Sequence, residues 1–162
     1  MPLSGASVAL TVAGTLTNSL DLQTVSAPLS FGRSIALANG TGAGQADKLW
    51  ADTRTTSGND DLDLAGVLTD AFGVVITFVK VKVIVVAADA ANTGNVIIGG
   101  AGATAMIGPF GANTHTAHVR PGGVALFACS DATAWAVGAG ATDILRIAPS
   151  AGSITYSVVI VG

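Results

Sequence analysis

The sequence predicts an all-β fold, an antiparallel β-sandwich or barrel, and three observations lead to this prediction. Bulky apolar residues occur in short runs, several of them with the period-two alternation typical of strands. Gly, Pro, Asn and Asp separate these runs at intervals of roughly 8 to 12 residues, the spacing of short strands in sandwiches and barrels. All ten acidic residues are aspartate. Because glutamate favours helices and aspartate favours turns, the absence of glutamate argues against long helices.

The first part of the chain alternates between strand and turn segments. Val8–Leu16 alternates in a strand-like way, whereas Phe31–Ala38 carries Arg33 on the same parity as its apolar residues, which favours an edge or an interface. A loop, a strand, a turn and a short strand follow, at Asn39–Gln45, Lys48–Ser57, Gly58–Asp61 and Leu62–Leu64. The pattern is weaker in residues 1–40 than in the remainder. We therefore expect residues 1–40 to form an N-terminal arm or accessory strands, and residues 41–162 to form the β-sandwich domain.

The strongest apolar segment is Gly73–Ala88, which we predict to be one long strand. Lys80 and Lys82 alternate with valines inside it, so this strand is expected to be half-solvated around the lysines. Shorter strands separated by turn residues are predicted for the second half, at Asn95–Ile98, Ala105–Ile107, Thr114–Arg120, Gly123–Cys129, Ala134–Val137, Asp143–Ile147 and Ile154–Val161.

Composition points to a surface that other proteins cover. Half of the 162 residues are hydrophobic and 10% are charged, against roughly 25% charged in an ordinary soluble domain. The net charge of −3 argues against nucleic-acid binding, which requires a basic patch. No apolar run reaches the roughly 18 to 20 residues that cross a bilayer, and Met1–Leu10 lacks the basic region of a signal peptide. We expect protein partners, and neither nucleic acid nor membrane.

Histidine-based chemistry is not favoured by the sequence. The only histidines are His115 and His118, and residues three apart on a strand point to opposite faces. If Thr114–Arg120 is a strand, they cannot share one metal ion or one active site, although on a loop they can. The sequence also lacks the Gly-x-Ser-x-Gly motif of hydrolases. Surface or interface positions are the preferred interpretation for both histidines.

Two further motifs have a structural and a functional interpretation. Asp60, Asp61 and Asp63 form an oxygen-rich cluster of the kind that can hold calcium, but the spacing lacks the EF-hand pattern, and a turn with aspartate caps is preferred. A glycosidase carboxylate pair is disfavoured further. The glycine-rich loop Gly40–Gly44 lacks the Gly-Lys-Ser/Thr of a phosphate loop, because Lys48 is out of register, and a flexible turn is preferred.

The aromatic residues and the single cysteine are assigned to packing. Trp50, Trp135 and Tyr156 are expected in the core or at subunit contacts, with a glycan-binding platform as the alternative. Cys129 lies in an apolar segment and is expected to be a small core residue. We assign no catalytic, cofactor-binding or metal-binding residue, and we expect no cofactor and no enzyme activity.

Taken together, several segments give the chain a resemblance to small virion structural proteins of tailed bacteriophages. They are Ala46–Arg54, Leu62–Gly73, Val79–Lys82, Asn92–Gly99, Gly108–Phe110, Val119–Gly123, Trp135–Val137, Asp143–Arg146 and Thr155–Gly162. The resemblance covers roughly residues 46–162, and its motifs are structural. It implies a β-sandwich or jelly-roll subunit, often a homotrimer, on the capsid or the tail, and it carries over no catalytic residues.

The leading functional hypothesis is a capsid decoration, or cement, protein in the virion, assembled in the host cytoplasm. It would bind the major capsid protein and bridge its subunits, with residues 1–40 as the arm that contacts the shell or a neighbouring copy. The alternatives are a tail, baseplate or receptor-binding component and a carbohydrate-binding β-sandwich.

Overall fold

The computed structural model describes residues 3–162, which form an all-β structure and confirm the predicted fold class. The regular structure of these residues consists of thirteen strands and a 3-10 turn at Gly102–Thr104. The strands are β1 (Ala6–Ser19), β2 (Thr24–Asn39), β3 (Gln45–Ala46), β4 (Leu49–Thr56), β5 (Asp60–Asp63), β6 (Lys80–Val81), β7 (Val83–Ala88), β8 (Val96–Gly99), β9 (Thr116–Val119), β10 (Val124–Ala128), β11 (Trp135–Ala136), β12 (Ile144–Pro149) and β13 (Ile154–Val161).

Eight of these strands form a sandwich of two four-stranded antiparallel sheets. The first sheet has the order β10-β7-β13-β4, and the second has the order β5-β12-β8-β9. Along the chain, these eight strands follow each other as β4, β5, β7, β8, β9, β10, β12 and β13. The first, third, sixth and eighth of them form the first sheet, and the other four form the second. This strand order is that of a jelly roll, in which Greek-key connections carry the chain between two packed sheets.

The main core lies between the two sheets, and β13 shows how the sequence fills it. Ile154, Tyr156, Val158 and Ile160 are all buried there, because every second residue of a strand points to the same face. The second sheet contributes its own inward side chains to this core, namely Leu62, Val96, Ile98, Val119, Leu145 and Ile147.

A smaller apolar cluster lies on the outer face of the first sheet. Val83 and Val161 point to this face, where they pack with Leu37 of β2 and Ala46 of β3. The side chains that surround this cluster from the first two strands are Ala6, Val8 and Ile35. The outer face of the first sheet is therefore apolar at the end that β2 and β3 cover, whereas Thr53 and Ser157 farther along it are exposed.

Strands β1 and β2 form one long hairpin that extends beyond this second cluster. Its register is unbroken from Ala6 opposite Leu37 to Ser19 opposite Thr24, which gives a length of about 46 Å at about 3.3 Å per residue. Every residue from 9 to 34 is exposed, so only the base of the hairpin packs on the sandwich. We call this hairpin the arm.

The long strand predicted for Gly73–Ala88 is wrong. Residues 74–79 form only an isolated bridge, Val75 with Thr69, and the strands that follow are the short β6 and β7. The chain breaks register at Lys82, since Val81 packs in the main core while Val83 packs in the cluster under the hairpin. Lys82 is therefore fully buried, contrary to the predicted solvated face. The short strand predicted at Ala105–Ile107 is reduced to a single bridge between Ala105 and Ile144.

Candidate assembly surface

The three carboxylates considered for calcium do not converge. Asp60 and Asp61 are consecutive in β5, so their side chains point to opposite faces. The first carboxylate binds Arg54 and the second binds Arg146, each through two hydrogen bonds, while Asp63 Oδ1 accepts the Ala65 N–H at 3.0 Å. Within residues 3–162 no group of three His, Cys, Asp or Glu side chains is placed to hold a metal ion. The predicted turn with aspartate caps is right only for Asp63, because Asp60 and Asp61 lie in β5 and pair with arginines.

The Asp60 carboxylate forms a half-buried polar network inside the fold. Arg54 Nε and Nη2 donate to its two oxygens at 2.7 and 2.9 Å, and the buried Tyr156 hydroxyl donates to Oδ2 at 2.8 Å. Burial acts to raise the pKa of Asp60, but the Arg54 and Tyr156 hydrogen bonds and the Arg54 charge together hold it below its usual value. Burial, followed by the hydrogen bond to Asp60, raises the pKa of Tyr156. This network ties β4, β5 and β13 together and leaves no free acid or base.

The second carboxylate, Asp61, is in a more open position. Arg146 Nε and Nη2 donate to its two oxygens at 2.6 and 2.8 Å. The Asp61 side chain keeps 41% of its surface exposed, against 14% for Asp60. The hydrogen bond from Arg146 is the main reason that the pKa of Asp61 lies below its usual value. The two aspartates thus form chemically similar clamps that differ in burial.

The two histidines lie in different local structures. His115 precedes β9, and its Nδ1 lies 3.0 Å from the Phe110 carbonyl oxygen. His118 lies within β9 and is exposed, with Nε2 3.5 Å from Thr116 Oγ1. Both are surface residues, as the sequence predicts, and neither forms an ion pair or a hydrogen bond with a carboxylate within residues 3–162.

The tryptophans pack against protein instead of forming a platform. Trp50 is 5% exposed in the main core, so its ring has no free face for a sugar. Trp135 packs against that core from β11, where its ring lies over Gly108, which has no room for a Cβ atom. The aromatic rings that are exposed are Phe31 and Phe72, which sequence reasoning did not single out.

The glycine-rich loop Gly40–Gly44 is held by hydrogen bonds to Lys82, Gln45 and Ser130, and we call this arrangement the clasp. The buried Lys82 ammonium donates to the Gly42 carbonyl, and the Gly42 N–H donates to Gln45 Oε1 at 2.8 Å. The Gly44 N–H donates to the Ser130 carbonyl at 2.7 Å. The interpretation of Gly40–Gly44 as a turn fits this geometry. The Gly42 carbonyl supplies the hydrogen-bond acceptor that the buried Lys82 ammonium requires. Cys129, next to this clasp, is half-buried, and burial raises the pKa of its thiol.

The hairpin carries the most unusual surface of the molecule, because its two faces differ in character. One face beyond the base holds large apolar side chains, and the opposite face holds Ser, Thr, Ala, Gly and Pro. We name the first the distal arm face, and its large residues, all 44% exposed or more, are Leu10, Val12, Leu16, Val25, Leu29 and Phe31. Between residues 6 and 39, Asp21 and Arg33 are the only charged residues. The distal arm face is thus an apolar surface that no residue within 3–162 covers.

A second apolar region lies at the edge of the first sheet, next to the N-terminal residues. A groove of about 470 Å³ is bounded by the segment at residues 70–76 and by the start of β4. We name it the Phe72 groove, and its apolar lining residues are Leu3, Leu49, Ala51, Ala71, Phe72, Val74, Val75 and Ile76. Asp47, Lys48 and Asp70 are its charged residues. Phe72 is 74% exposed, so the described residues leave this part of the groove uncovered.

Comparison with protein-family models, with curated proteins and with solved structures found no match. Residues 3–162 include no helix with the length and hydropathy needed to cross a bilayer. The features that bear on function are therefore the two uncovered apolar surfaces, since the polar clusters are engaged within the fold.

Proposed function

We propose that this chain is a structural protein of a tailed-bacteriophage particle, a decoration or cement protein that binds the head and bridges major capsid subunits. The observation that carries the proposal is the distal arm face, which exposes Leu16 at 80% and Leu29 at 66%. A two-stranded hairpin without a third strand or a packed face is marginally stable alone in water. Such an arm is expected in a protein whose working state is an assembly.

The mechanism follows from burial on an assembled surface. A protein that binds the assembled shell and not its separate subunits stabilises the shell by mass action. The 10% charged content leaves little electrostatic hydration to be lost when the surface is covered. The sandwich supplies a rigid body, and jelly rolls are one of the architectures found in viral capsid proteins, although fold alone does not assign function.

The proposal includes a homo-oligomer, with a trimer as the specific expectation, located in the virion. Its partners are the major capsid protein and other copies of this chain. The low charge and the two uncovered apolar surfaces support protein partners, because contiguous apolar patches on soluble proteins mark interaction sites.

The test is binding of the purified protein to phage heads that lack it, measured by co-sedimentation and by electron microscopy. Phe31→Asp places a charge on the distal arm face, while Ser30→Asp places the same charge on the opposite face one residue away. We expect Phe31→Asp to reduce head occupancy at least tenfold and Ser30→Asp to leave it close to the unmodified protein. Circular dichroism should show the same β-sheet content for both variants.

A shorter arm gives a second variant. Joining Leu10 to Arg33 through Asn-Gly, a favoured two-residue hairpin turn, removes most of the distal arm face and keeps the base. If this variant occupies heads as well as the full chain does, the arm has no role in binding. If the full chain binds tails and not heads, the decoration hypothesis is wrong and the tail component replaces it.

A further inference from the structure

We propose that the distal arm face of one copy packs into the Phe72 groove of a second copy of this chain. The inference rests on the homo-oligomer of the proposed function and identifies the two surfaces that form it. The two surfaces lie on separate parts of the chain, the first on β1 and β2 and the second beside β4. Such a contact closes either as a two-fold dimer, in which each arm enters the groove of the other copy, or as a ring of copies linked head to tail when the rotation between them closes.

The distal arm face has the size of an interaction surface. Ten residue pairs, from Leu10 opposite Arg33 to Ser19 opposite Thr24, lie beyond the base. At about 3.3 Å per residue and about 4.8 Å between strands, this face is about 33 Å long and about 10 Å wide. An area of about 330 Å² falls within the range of the largest apolar patch on a typical monomer, which is often functional.

The Phe72 groove is apolar, as expected of a surface that binds the distal arm face. Its lining is predominantly aliphatic and aromatic, and Val74 and Val75 are 58% and 57% exposed. A smaller cavity of about 200 Å³ shares Leu49 with it and extends along the outer face of the first sheet to the base of the arm. Apolar lining residues therefore continue from the arm base to the Phe72 groove. The arm's own base already packs on this sheet face through Leu37.

Charge supports a contact between the arm and the groove. Arg33 lies at the near end of the distal arm face, opposite Leu10, and is exposed with no ion pair within the described part of the chain. Asp70 lies at the groove, where its Oδ1 accepts the N–H groups of Phe72 and Val74, both at 2.9 Å. Asp70 forms no ion pair with any residue in the range 3–162. A cation on an apolar arm and a carboxylate at an apolar groove are complementary.

The same charge argues against the simplest alternative, in which the arms bundle with each other around a symmetry axis. Bundling through the distal arm faces would bring the Arg33 side chains of neighbouring copies to equivalent positions on that face. Like charges that meet at an interface are unfavourable. The groove avoids this juxtaposition, because its one cation, Lys48, is paired with Asp47 and its other charged residue is Asp70.

Site-directed cross-linking of the full chain tests the inference without any phage component. Phe31→Cys and Val74→Cys are made separately in a Cys129→Ala background, and one carries a tag that changes its mass. After mixing, a short bismaleimide is expected to give the mixed Phe31-to-Val74 dimer and little of either homodimer. A Ser30→Cys variant on the opposite arm face is the matched control, and it should give much less mixed product.

Three outcomes would overturn the inference. Phe31→Cys that cross-links to itself indicates bundled arms, and Val74→Cys that cross-links to itself indicates paired grooves. A chain that sediments as a monomer at all concentrations used has no such contact. All three can occur whether or not the protein binds heads, so failure here is distinguishable from failure of the decoration hypothesis.

A charge cycle gives a second measurement. Arg33→Glu and Asp70→Asn are each expected to weaken self-association roughly three- to fivefold, the effect of an exposed ion pair worth up to about 1 kcal/mol. Asparagine keeps the side-chain oxygen that accepts the two loop N–H groups, so Asp70→Asn removes charge and preserves the turn. Asp70→Asn should partly restore association in the Arg33→Glu background, because it removes a like-charge repulsion at the contact. If the two effects simply add, these residues do not pair.

Discussion

Replacing Asp60 by asparagine offers a direct test of how burial sets the strength of an ion pair in this fold. Asp60 and Asp61 are neighbours on β5, and each is held by an arginine through two hydrogen bonds. They differ in exposure, with 14% of the side chain accessible in one and 41% in the other. Asp61→Asn is therefore a matched control one residue away.

The magnitudes follow from these exposures. Breaking a fully buried pair costs about 3–5 kcal/mol, but the Arg54 side chain is 37% exposed, so water recovers part of this cost. We expect Asp60→Asn to lower the free energy of unfolding by about 2 kcal/mol, because the buried Tyr156 hydroxyl and Arg54 both lose a charged acceptor. For Asp61→Asn we expect about 0.5 kcal/mol, the value of an exposed pair.

The assay is thermal or guanidinium unfolding of both variants and the unmodified chain at pH 7 and one protein concentration. For a domain of this size, about 2 kcal/mol corresponds to a fall of about 4–8 °C in Tm. Equal destabilisation of the two variants, or a larger effect for Asp61→Asn, would refute the argument that burial by Tyr156 distinguishes the clamps. Tyr156→Phe should lie between them, since it removes one hydrogen bond to the carboxylate.

Three further predictions concern pH, the arm and the buried lysine. The folded pKa values of Asp60 and Asp61 lie below their usual 3.8, so their contribution to stability is complete above that value and lost as the pH falls through the folded pKa. Acid titration of unfolding should show this loss, and Asp60→Asn should make it shallower. Gly14→Val should not lower Tm, because no atom lies within 4 Å of a Cβ at Gly14 and valine favours strands. A lower Tm would mean that other residues pack against Gly14, contrary to the exposed position of the arm. Lys82→Met should change the free energy of unfolding by less than about 1 kcal/mol, since an apolar side chain replaces a buried charge. Limited proteolysis should nevertheless cut residues 40–45 faster, because the Gly42 carbonyl loses its hydrogen bond to Lys82. Unchanged cleavage would contradict the clasp role of Lys82.

The elements that the sequence predicts well are those with an uninterrupted period of two. Ile154–Val161 matches β13 at both ends, and Lys48–Ser57 differs from β4 by one residue at each end. Alternation specifies which residues face the core, so the pattern and the packing agree. For the hairpin, the sequence predicts only the strand segments Val8–Leu16 and Phe31–Ala38 and not their pairing, because Ser, Thr, Gly and Pro separate the apolar residues and resemble turn signals.

The failure at Gly73–Ala88 has a physical reason. Alternation across Lys80 and Lys82 looks continuous, but the chain inserts an extra residue there and passes from one core to the other. A register break is set by tertiary contacts, here the N–H of Lys82 that donates to the Val161 carbonyl at 2.8 Å. No local pattern signals such a contact. The exposure of Phe72 and Val74 escaped prediction for a related reason, since apolar residues in a short run are expected to be buried.

The candidate surface was harder to predict than the fold, because alternation describes a face and does not say what covers it. Val8 and Leu10 have the same pattern, yet the first packs on the sandwich and the second is exposed. The difference depends on where the first sheet ends relative to the arm. Only the three-dimensional structure supplies that information.

The arm connects these observations into one physical argument. Its base is held by the second apolar cluster, whereas residues 9–34 have only each other. Fixing each residue costs about 1–2 kcal/mol of backbone entropy, and a lone pair of strands offsets this cost poorly. A partner that covers the distal arm face supplies the missing burial, so order in the arm and assembly should be thermodynamically coupled. Amide hydrogen exchange near the turn at residues 20–23 should therefore slow as protein concentration rises, while exchange in β13 should not change. Concentration-independent exchange at the turn would show that the hairpin is stable without a partner.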